Sequence, residues 1–250
     1  MQQNHAMKSG RRRLLQAAAA AVAIFTAGAA PLMARAAGEA GGKRKIGIIG
    51  SGRIGSTLGG LWVKAGHEVM FSSLDLAHDQ ALAAKLGAGA RAGTSREAAA
   101  FGEVLLMAVP YSALPQLGRD LADLIKGKVL IDSCNPITGR DGDIAVWARE
   151  KGAGLASAEL LPGARIVRAF NAINYARLAE LAARPGARTG MPIAGDDAEA
   201  IAVASGLVRD INLEPVLVGS LAMGRYLLPG TPLAQEHSPE ELRQTATTLK

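Results

Sequence analysis

The chain has 250 residues, 49% of them hydrophobic, which is enough for one well-buried α/β domain. Most of its formal net charge of +6 belongs to residues 1–36, which contain five basic residues and no acidic one, so the rest of the chain offers no charge that favours nucleic acid or an anionic membrane. The single cysteine excludes an intramolecular disulfide, and Asp196 and Glu199 are spaced as in a helix capping box, which favours a capping role over metal binding.

Residues 1–36 have the features of a twin-arginine export signal. Arginines at 11–13 precede two leucines, an alanine-rich apolar stretch covers 17–30, and the tripeptide ARA at 34–36 offers a cleavage site. The apolar stretch is too short to cross a bilayer as a helix. We therefore expect the twin-arginine export machinery to deliver a periplasmic product without a stable membrane anchor, and we expect a linker over 37–44. A disordered basic tail is the alternative.

The next stretch predicts a strand, a glycine turn and a helix. Residues 46–49 are a short apolar run typical of a buried parallel strand, and apolar residues recur at helical spacing beyond the turn. In G-x-G-x-x-G register, Gly50 permits the turn, Gly52 leaves room for a pyrophosphate, and Gly55 lets the helix pack on the strand. The first helical amides would then face the phosphates. The alternative is a turn with only a packing role. The predicted dinucleotide-binding residues are Gly50, Ser51, Gly52, Arg53, Ile54 and Gly55.

The remaining chain alternates strand and helix patterns, which is typical of a Rossmann-type, doubly wound α/β fold with a mostly parallel sheet. We predict strands at 68–71, 90–92, 104–109, 129–132, 165–170, 191–194 and 214–218. We predict helices at 76–86, 95–101, 114–125, 175–183, from 195 onward, 220–228 and 239–249. The dinucleotide-binding domain would cover 45–172, and 173–250 would form a smaller C-terminal α/β and helical part.

The end of the second predicted strand bears on which dinucleotide is bound. Ser72 and Ser73 could donate to the 2′-phosphate of NADP, whereas Asp75 could repel that phosphate and hold the ribose of NAD. Ordinary turn and helix-capping chemistry is an alternative for all three residues.

Two other strand ends reach the carboxyl edge of the predicted sheet, where ligands bind in open α/β folds. One places Ala108, Val109 and Pro110 at that edge. The other ends before Asn135 and Pro136, and the proline favours an extended backbone that would hold the Asn135 amide in a fixed direction. Such an amide suits a nicotinamide carboxamide.

Two residues beside these strand ends allow other interpretations. Tyr111 could stack on a ring or cap the next helix, and Cys134 is predicted to be a small buried residue because no histidine lies near it in sequence. No lysine lies between Lys151 and Lys250, so proton donors for a small substrate are few. This scarcity favours hydride transfer between two bound rings.

Five segments, in order, resemble the NADP oxidoreductases dependent on the deazaflavin coenzyme F-420. They are IGIIGSGRIGSTLGGLWVKAGHEVMFSS, LLMAVPYSALP, LIDSCNPI, IVRAFNAIN and IAGDDAEA, within about 45–232. The resemblance implies hydride transfer between NADP(H), with NAD(H) as the alternative, and coenzyme F-420 or a flavin. It implies that Ser72 and Ser73 hold the 2′-phosphate. It also implies that the two rings lie beside Val109, Pro110, Asn135, Pro136, Phe170 and Asn171.

The chain departs from that family in two ways. Leu74 and Asp75 stand where the family commonly carries an arginine after the paired serines, and the family works largely in the cytoplasm. The predicted function is an NAD(P)-dependent oxidoreductase with small-molecule cofactors as partners and no assigned catalytic residue. The alternatives are a dehydrogenase of a small carbonyl or imine and a non-catalytic dinucleotide-binding protein. The sequence is also compatible with a homodimer.

Overall fold

Eight strands form one sheet in the computed structural model, which describes residues 42–249. The strands are β1 Lys45–Ile49, β2 Glu68–Ser72, β3 Ala90–Ala92, β4 Val104–Met107, β5 Val129–Asp132, β6 Arg165–Arg168, β7 Gly190–Gly195 and β8 Glu214–Gly219. Their order is β3-β2-β1-β4-β5-β6-β7-β8, and within it only β6 and β7 pair antiparallel. The order reverses between β1 and β4, where doubly wound sheets bind nucleotides. The predicted Rossmann-type fold class is confirmed.

Helices connect these strands. They are α1 Arg53–Lys64, α2 Leu76–Leu86, α3 Ser95–Phe101, α4 Leu114–Asp120, α5 Ala122–Ile125, α6 Thr138–Asp141, α7 Asp143–Lys151, α8 Ala153–Leu160, α9 Tyr175–Ala183, α10 Ala198–Asp210 and α11 Pro239–Thr248. Two 3-10 helices cover Tyr111–Ala113 and Leu221–Leu227. Within residues 42–249, no helix combines the length and the apolar character needed to cross a membrane. The predicted signal and most of the predicted linker lie outside the described residues.

Helices cover both faces of the sheet, and of three apolar clusters in the described residues the two larger ones flank β1. Alternating β1 residues point to opposite faces, with Ile46 and Ile48 in one cluster and Ile49 in the other. Trp62 of α1 is fully buried in the first cluster, and its indole N–H donates to the Leu207 carbonyl of α10 at 3.0 Å. The two clusters hold β1 rigidly, and with it the turn that follows.

Several predicted boundaries were wrong. β4 ends at Met107, two residues early, and β6 ends at Arg168 because Phe170 adopts φ +65°, which no strand can include. The helix predicted at 114–125 is broken at Leu121, whose φ of −112° leaves the helical region. The prediction also omitted α6, α7 and α8. The domain division at 172/173 stays a prediction, and β7 and β8 continue the sheet through the antiparallel pair with β6.

Candidate functional site

The glycine turn after β1 has the geometry that a pyrophosphate requires. Gly50 has φ +101°, and a Cβ at this position would collide with the backbone carbonyl oxygen of Ala108. A Cβ at Gly55 would collide with the carbonyl oxygen of Gly50. A Cβ at Gly52 would meet no protein atom within 4 Å. Protein packing therefore explains why positions 50 and 55 are glycine, but it does not explain Gly52. The open space beside Gly52 lets a ligand reach the backbone.

The start of α1 supplies the donors for that ligand. Gly52 is the N-cap residue, no side chain caps the helix, and its first turn carries no acidic residue. The first amides of a helix lack partners within the helix and attract anions. The turn therefore fits a dinucleotide pyrophosphate, with Ser51, Arg53 and Ile54 on either side of Gly52.

The end of β2, here called the ribose end, is the place where the sequence predicted the ribose to bind. Ser72 is fully buried, and its hydroxyl donates to the Ile48 carbonyl at 2.7 Å. Asp75 caps α2, and its carboxylate accepts from the His78 amide at 2.9 Å. The capping role that the sequence left open for Asp75 is thus confirmed.

A buried carboxylate that the sequence analysis missed joins the turn to the ribose end. Asp79 of α2 is fully buried and accepts a hydrogen bond from the hydroxyl of Ser51. Its second oxygen accepts from Ser73 at 2.9 Å. An acidic residue on an alanine-rich helix face was the available signal, but its partners become evident only when β1 and β2 are paired.

The carboxyl ends of β4 and β5 bring the predicted nicotinamide residues to the same edge as the turn. The Ala108 amide donates to the Ile49 carbonyl at 2.9 Å, which places Ala108, Val109 and Pro110 directly beside the glycines. The Ser133 amide donates to the Met107 carbonyl at 3.0 Å, so Asn135 and Pro136 follow from the neighbouring strand. Pro136 itself is buried, whereas Asn135 is partly exposed.

A buried ion pair fixes the Asn135 side chain. Arg168 and Asp132 are both fully buried, and Nη1 of the arginine lies 2.6 Å from a carboxylate oxygen of the aspartate. Arg168 also donates to the Cys134 carbonyl at 3.1 Å and to Asn135 Oδ1 at 3.4 Å. The Asn135 amide in turn donates to the Asn171 carbonyl at 3.0 Å. The sequence signal for Arg168 was a charged residue inside an apolar strand.

A cavity of about 630 Å³ lies beside Asn135. Ile54 of α1, the segment 170–175 after β6, and part of the loop 229–236 line it. Because Ile54 and Asn135 also belong to the predicted dinucleotide site, the cavity adjoins that site. Asn171 lines the cavity as well, and its buried Oδ1 atom has no hydrogen-bond partner among the described residues. The atom is shielded from solvent, so a ligand could reach it only after a local rearrangement.

Hydrogen bonds and ion pairs hold the C-terminal end of the loop 229–236 in place. The Gln235 amide donates to the Ala172 carbonyl at 2.8 Å. Arg177 and Arg184 each approach Glu236 to 2.6 Å, and these arginines, Arg184 first, lower the pKa of the Glu236 carboxyl. The two arginines therefore balance the only acidic side chain among the residues described around the cavity.

Three further expectations can be compared with the structure. Phe170 lines the cavity and packs edge-on against Trp62, with ring centroids 5.9 Å apart. Tyr111 is fully buried and its hydroxyl donates to the Ala153 carbonyl at 3.0 Å, so its interpretation as a ring-stacking residue was wrong. Cys134 is buried as predicted, and burial raises the pKa of its thiol. No group of three or more His, Cys, Asp or Glu side chains in residues 42–249 could hold a metal ion.

Comparisons with known proteins agree with this geometry. The family described as NADP oxidoreductase, coenzyme F420-dependent, matches residues 45–136. F420-dependent NADP reductase of Methanothermobacter thermautotrophicus is 30% identical over 205 residues, which are 76% of this chain and 87% of that protein. Metalloreductase STEAP3 of Rattus norvegicus is 33% identical over 72% of this chain, which spans only 35% of the length of that relative.

A solved structure supports the fold. The hypothetical protein SMa0349 from Sinorhizobium meliloti superimposes with a TM-score of 0.66 and 24% identity, over 79% of this chain and 96% of that one. The sheet order and the glycine turn define a Rossmann-type dinucleotide-binding fold. The chain belongs to the coenzyme F420-dependent NADP oxidoreductase family, as its sequence motifs predicted.

Proposed function

We propose that the protein transfers a hydride between a nicotinamide dinucleotide and a deazaflavin or flavin ring. The observation that carries the proposal is the cavity of about 630 Å³ that adjoins both the glycine turn and Asn135. Its size suits a ring system next to the nicotinamide. The methanogen relative is named an F420-dependent NADP reductase, which favours NADP(H) and a deazaflavin, and the rat relative is named a metalloreductase.

In this proposal the chain acts mainly by binding and orientation. Gly52 and the amides at the start of α1 hold the pyrophosphate, while Val109 and Pro110 border the nicotinamide. When bound, the nicotinamide supplies or accepts the hydride. Arg168 holds the side chain of Asn135. The amide group of Asn135 then orients the nicotinamide carboxamide through a hydrogen bond of fixed direction. A rigid arrangement of two rings lowers the entropic part of the barrier.

The lining of the cavity favours a neutral ring over a small charged substrate. Phe170 supplies an apolar wall, and Ser133, Asn171, Asn174 and Gln235 supply uncharged hydrogen-bonding groups. The residues described around the cavity include neither lysine nor histidine. Reduction of a carbonyl or imine would need a proton donor there, and Tyr175 is the lining residue that could supply one, whereas transfer between two rings depends mainly on orientation.

The test is a hydride-transfer assay with the purified protein. NADH and NADPH are each offered with coenzyme F-420, FMN and FAD, and the absorbance of both partners is followed. Asn171→Ala should raise the KM for the acceptor ring because it removes a side chain that lines the cavity, while Gln244→Ala on the exposed face of α11 serves as the control. Turnover of a small carbonyl or imine with no ring acceptor would contradict the proposal, as would nucleotide binding without any hydride transfer.

We also propose that residues 1–36 direct twin-arginine export of the folded, cofactor-loaded protein to the periplasm. The sequence pattern is the support for this proposal. Residues 1–36 fused to a reporter protein should be exported only when the arginines at 11–13 are present and the twin-arginine machinery is functional. Export of a fusion in which all three are replaced by lysine would contradict the assignment.

A further inference from the structure

We infer that the ribose end of the site selects NAD(H) over NADP(H), and so holds a 2′-hydroxyl in place of a 2′-phosphate. The inference rests on the proposed function, because it assumes that a dinucleotide lies along the glycine turn. It departs from the dinucleotide named for the relative from Methanothermobacter thermautotrophicus, which is an F420-dependent NADP reductase. Four features carry the inference. The hydroxyls of the two serines after β2 already donate to other acceptors, and two carboxylates lie close to them. The residue at position 74 is an exposed leucine, and the nearby arginines interact with other groups.

The two serines after β2 have their hydroxyl protons committed to other acceptors. Ser72 is fully buried and donates to the Ile48 carbonyl at 2.7 Å. Ser73 donates to the Asp79 carboxylate at 2.9 Å, and its oxygen accepts from the Asp75 amide at 3.1 Å. Neither hydroxyl can donate to a phosphate without giving up one of these bonds.

Two carboxylates lie in the segment after β2, where the sequence predicted the 2′-phosphate or ribose to bind. Asp79 is fully buried beneath Ser51 and Ser73, and Asp75 is exposed at the N-cap of α2. A phosphate monoester carries a charge of roughly −1.5 to −2 at neutral pH. Carboxylates at short range repel such a group, whereas they accept readily from a ribose hydroxyl.

No arginine or lysine offsets this repulsion within the segment. Residues 72–84 contain neither, and position 74 is occupied by a fully exposed leucine. A neutral side chain at that position cannot make the charge-assisted hydrogen bonds that arginine makes to phosphate. Leu74 can instead cover an apolar surface such as a purine ring.

The arginines on the neighbouring elements are bound to other groups. Arg53 lies with its guanidinium 5.4 Å from the ring centroid of Tyr175, on the cavity side of α1. Arg91 of β3 pairs with Glu68 at 3.2 Å. Arg96 of α3 pairs bidentately with Asp123, with the shorter contact at 2.7 Å. Recruitment of any of them to a 2′-phosphate would break an existing interaction.

The inference is tested by titrating NADH and NADPH into the wild-type protein and two variants while the nucleotide fluorescence is followed at constant salt. The wild type should bind NADH at least about tenfold more tightly than NADPH, which is the scale of one lost phosphate contact. Leu74→Arg should tighten NADPH binding about tenfold and leave NADH binding within about twofold. Leu76→Arg, two residues further along and also exposed, adds the same charge and should shift the ratio by less than about threefold.

The outcomes separate this inference from the proposed function. Equal affinities, or tighter binding of NADPH to the wild type, would overturn the NAD(H) selectivity and leave dinucleotide-dependent transfer standing. If neither nucleotide bound, both the inference and the proposed function would be overturned. If Leu74→Arg and Leu76→Arg had the same effect, general charge and not position 74 would govern the ratio, and the role assigned to Leu74 would be wrong.

Discussion

Replacement of Gly52 by valine tests whether the open space at the glycine turn is a phosphate site. The turn geometry predicts an unusual combination, in which binding is lost while the fold is retained. A side chain at Gly52 would meet no protein atom within 4 Å, and the residue has a φ of −61°, outside the left-handed region that favours glycine. The loss of a glycine N-cap should lower the free energy of unfolding by about 1 kcal/mol or less. For a chain of this size that corresponds to a melting temperature lower by roughly 2–4 °C.

The effect on binding should be far larger. Hydrogen bonds from backbone N–H groups to a charged phosphate contribute about 1.5–3 kcal/mol each. Displacement of the pyrophosphate from two such donors would weaken dinucleotide binding by about 3–6 kcal/mol, or at least about 100-fold. The assay is isothermal titration of NADH and NADPH, combined with urea unfolding of the same preparations.

Two other glycines provide controls. Gly60→Ala, in the same helix, would place its Cβ 3.5 Å from Leu86 Cδ2, which is ordinary contact, so the variant should fold and bind normally. Gly55→Ala would collide with the Gly50 carbonyl and should destabilise the fold itself. Unchanged affinity in Gly52→Val would refute the phosphate site, and an unfolded Gly52→Val would refute the claim that protein packing leaves this position free.

Three further predictions concern groups outside the turn. Arg168→Met leaves Asp132 buried without its partner and should lower the free energy of unfolding by about 3–5 kcal/mol in urea, with part of the loss recovered when Asp132→Leu is added. Cys134 should not react with iodoacetamide in the native protein at mildly alkaline pH, because burial raises the pKa of its thiol, and should react after unfolding. Arg165 and the Ala200 amide lower the pKa of Asp197 to about 2, so the stability lost in Asp197→Asn should be constant above about pH 5 and should vanish as the pH falls from about 4 to 2.

For each of these three predictions, a specific result would contradict the reasoning. A loss under about 1 kcal/mol in Arg168→Met would mean that water or rearrangement satisfies Asp132. Rapid alkylation of native Cys134 would show that the carboxyl edge opens readily. A stability difference for Asp197→Asn that grows on acidification would reverse the expected sign, because a carboxyl group with a lowered pKa stabilises the fold only while it is ionised.

The sequence identified the elements whose signals are local. The β-branched strand at 46–49, the three glycines and the helical spacing beyond them together predicted β1, the turn and α1 correctly. The helix α6 was missed because it has only four residues, and α7 and α8 were missed because their apolar residues do not recur on one face as clearly as those of α9. The end of β6 was also missed, since nothing local shows that Phe170 adopts a positive φ.

The site was less predictable because its important contacts join distant residues. Asn135 was singled out from its proline neighbour, but the arginine that fixes it lies 33 residues further on. Ser72 was expected to face a phosphate, and only the pairing of β2 with β1 reveals that its hydroxyl donates to Ile48. Asp79 drew no attention, although it joins the turn to the ribose end. Side-chain direction, unlike strand order, depends on tertiary packing.

The most direct test of hydride transfer uses NADH and NADPH deuterated at the 4-position of the nicotinamide ring. Each is incubated with the protein and coenzyme F-420, and the reduced deazaflavin is analysed by mass spectrometry. The proposed function predicts that deuterium from one face of the nicotinamide appears on the deazaflavin carbon, because the two rings meet in the cavity beside Asn135. Deazaflavin that remains oxidised, or is reduced without deuterium, would contradict direct transfer between the two rings.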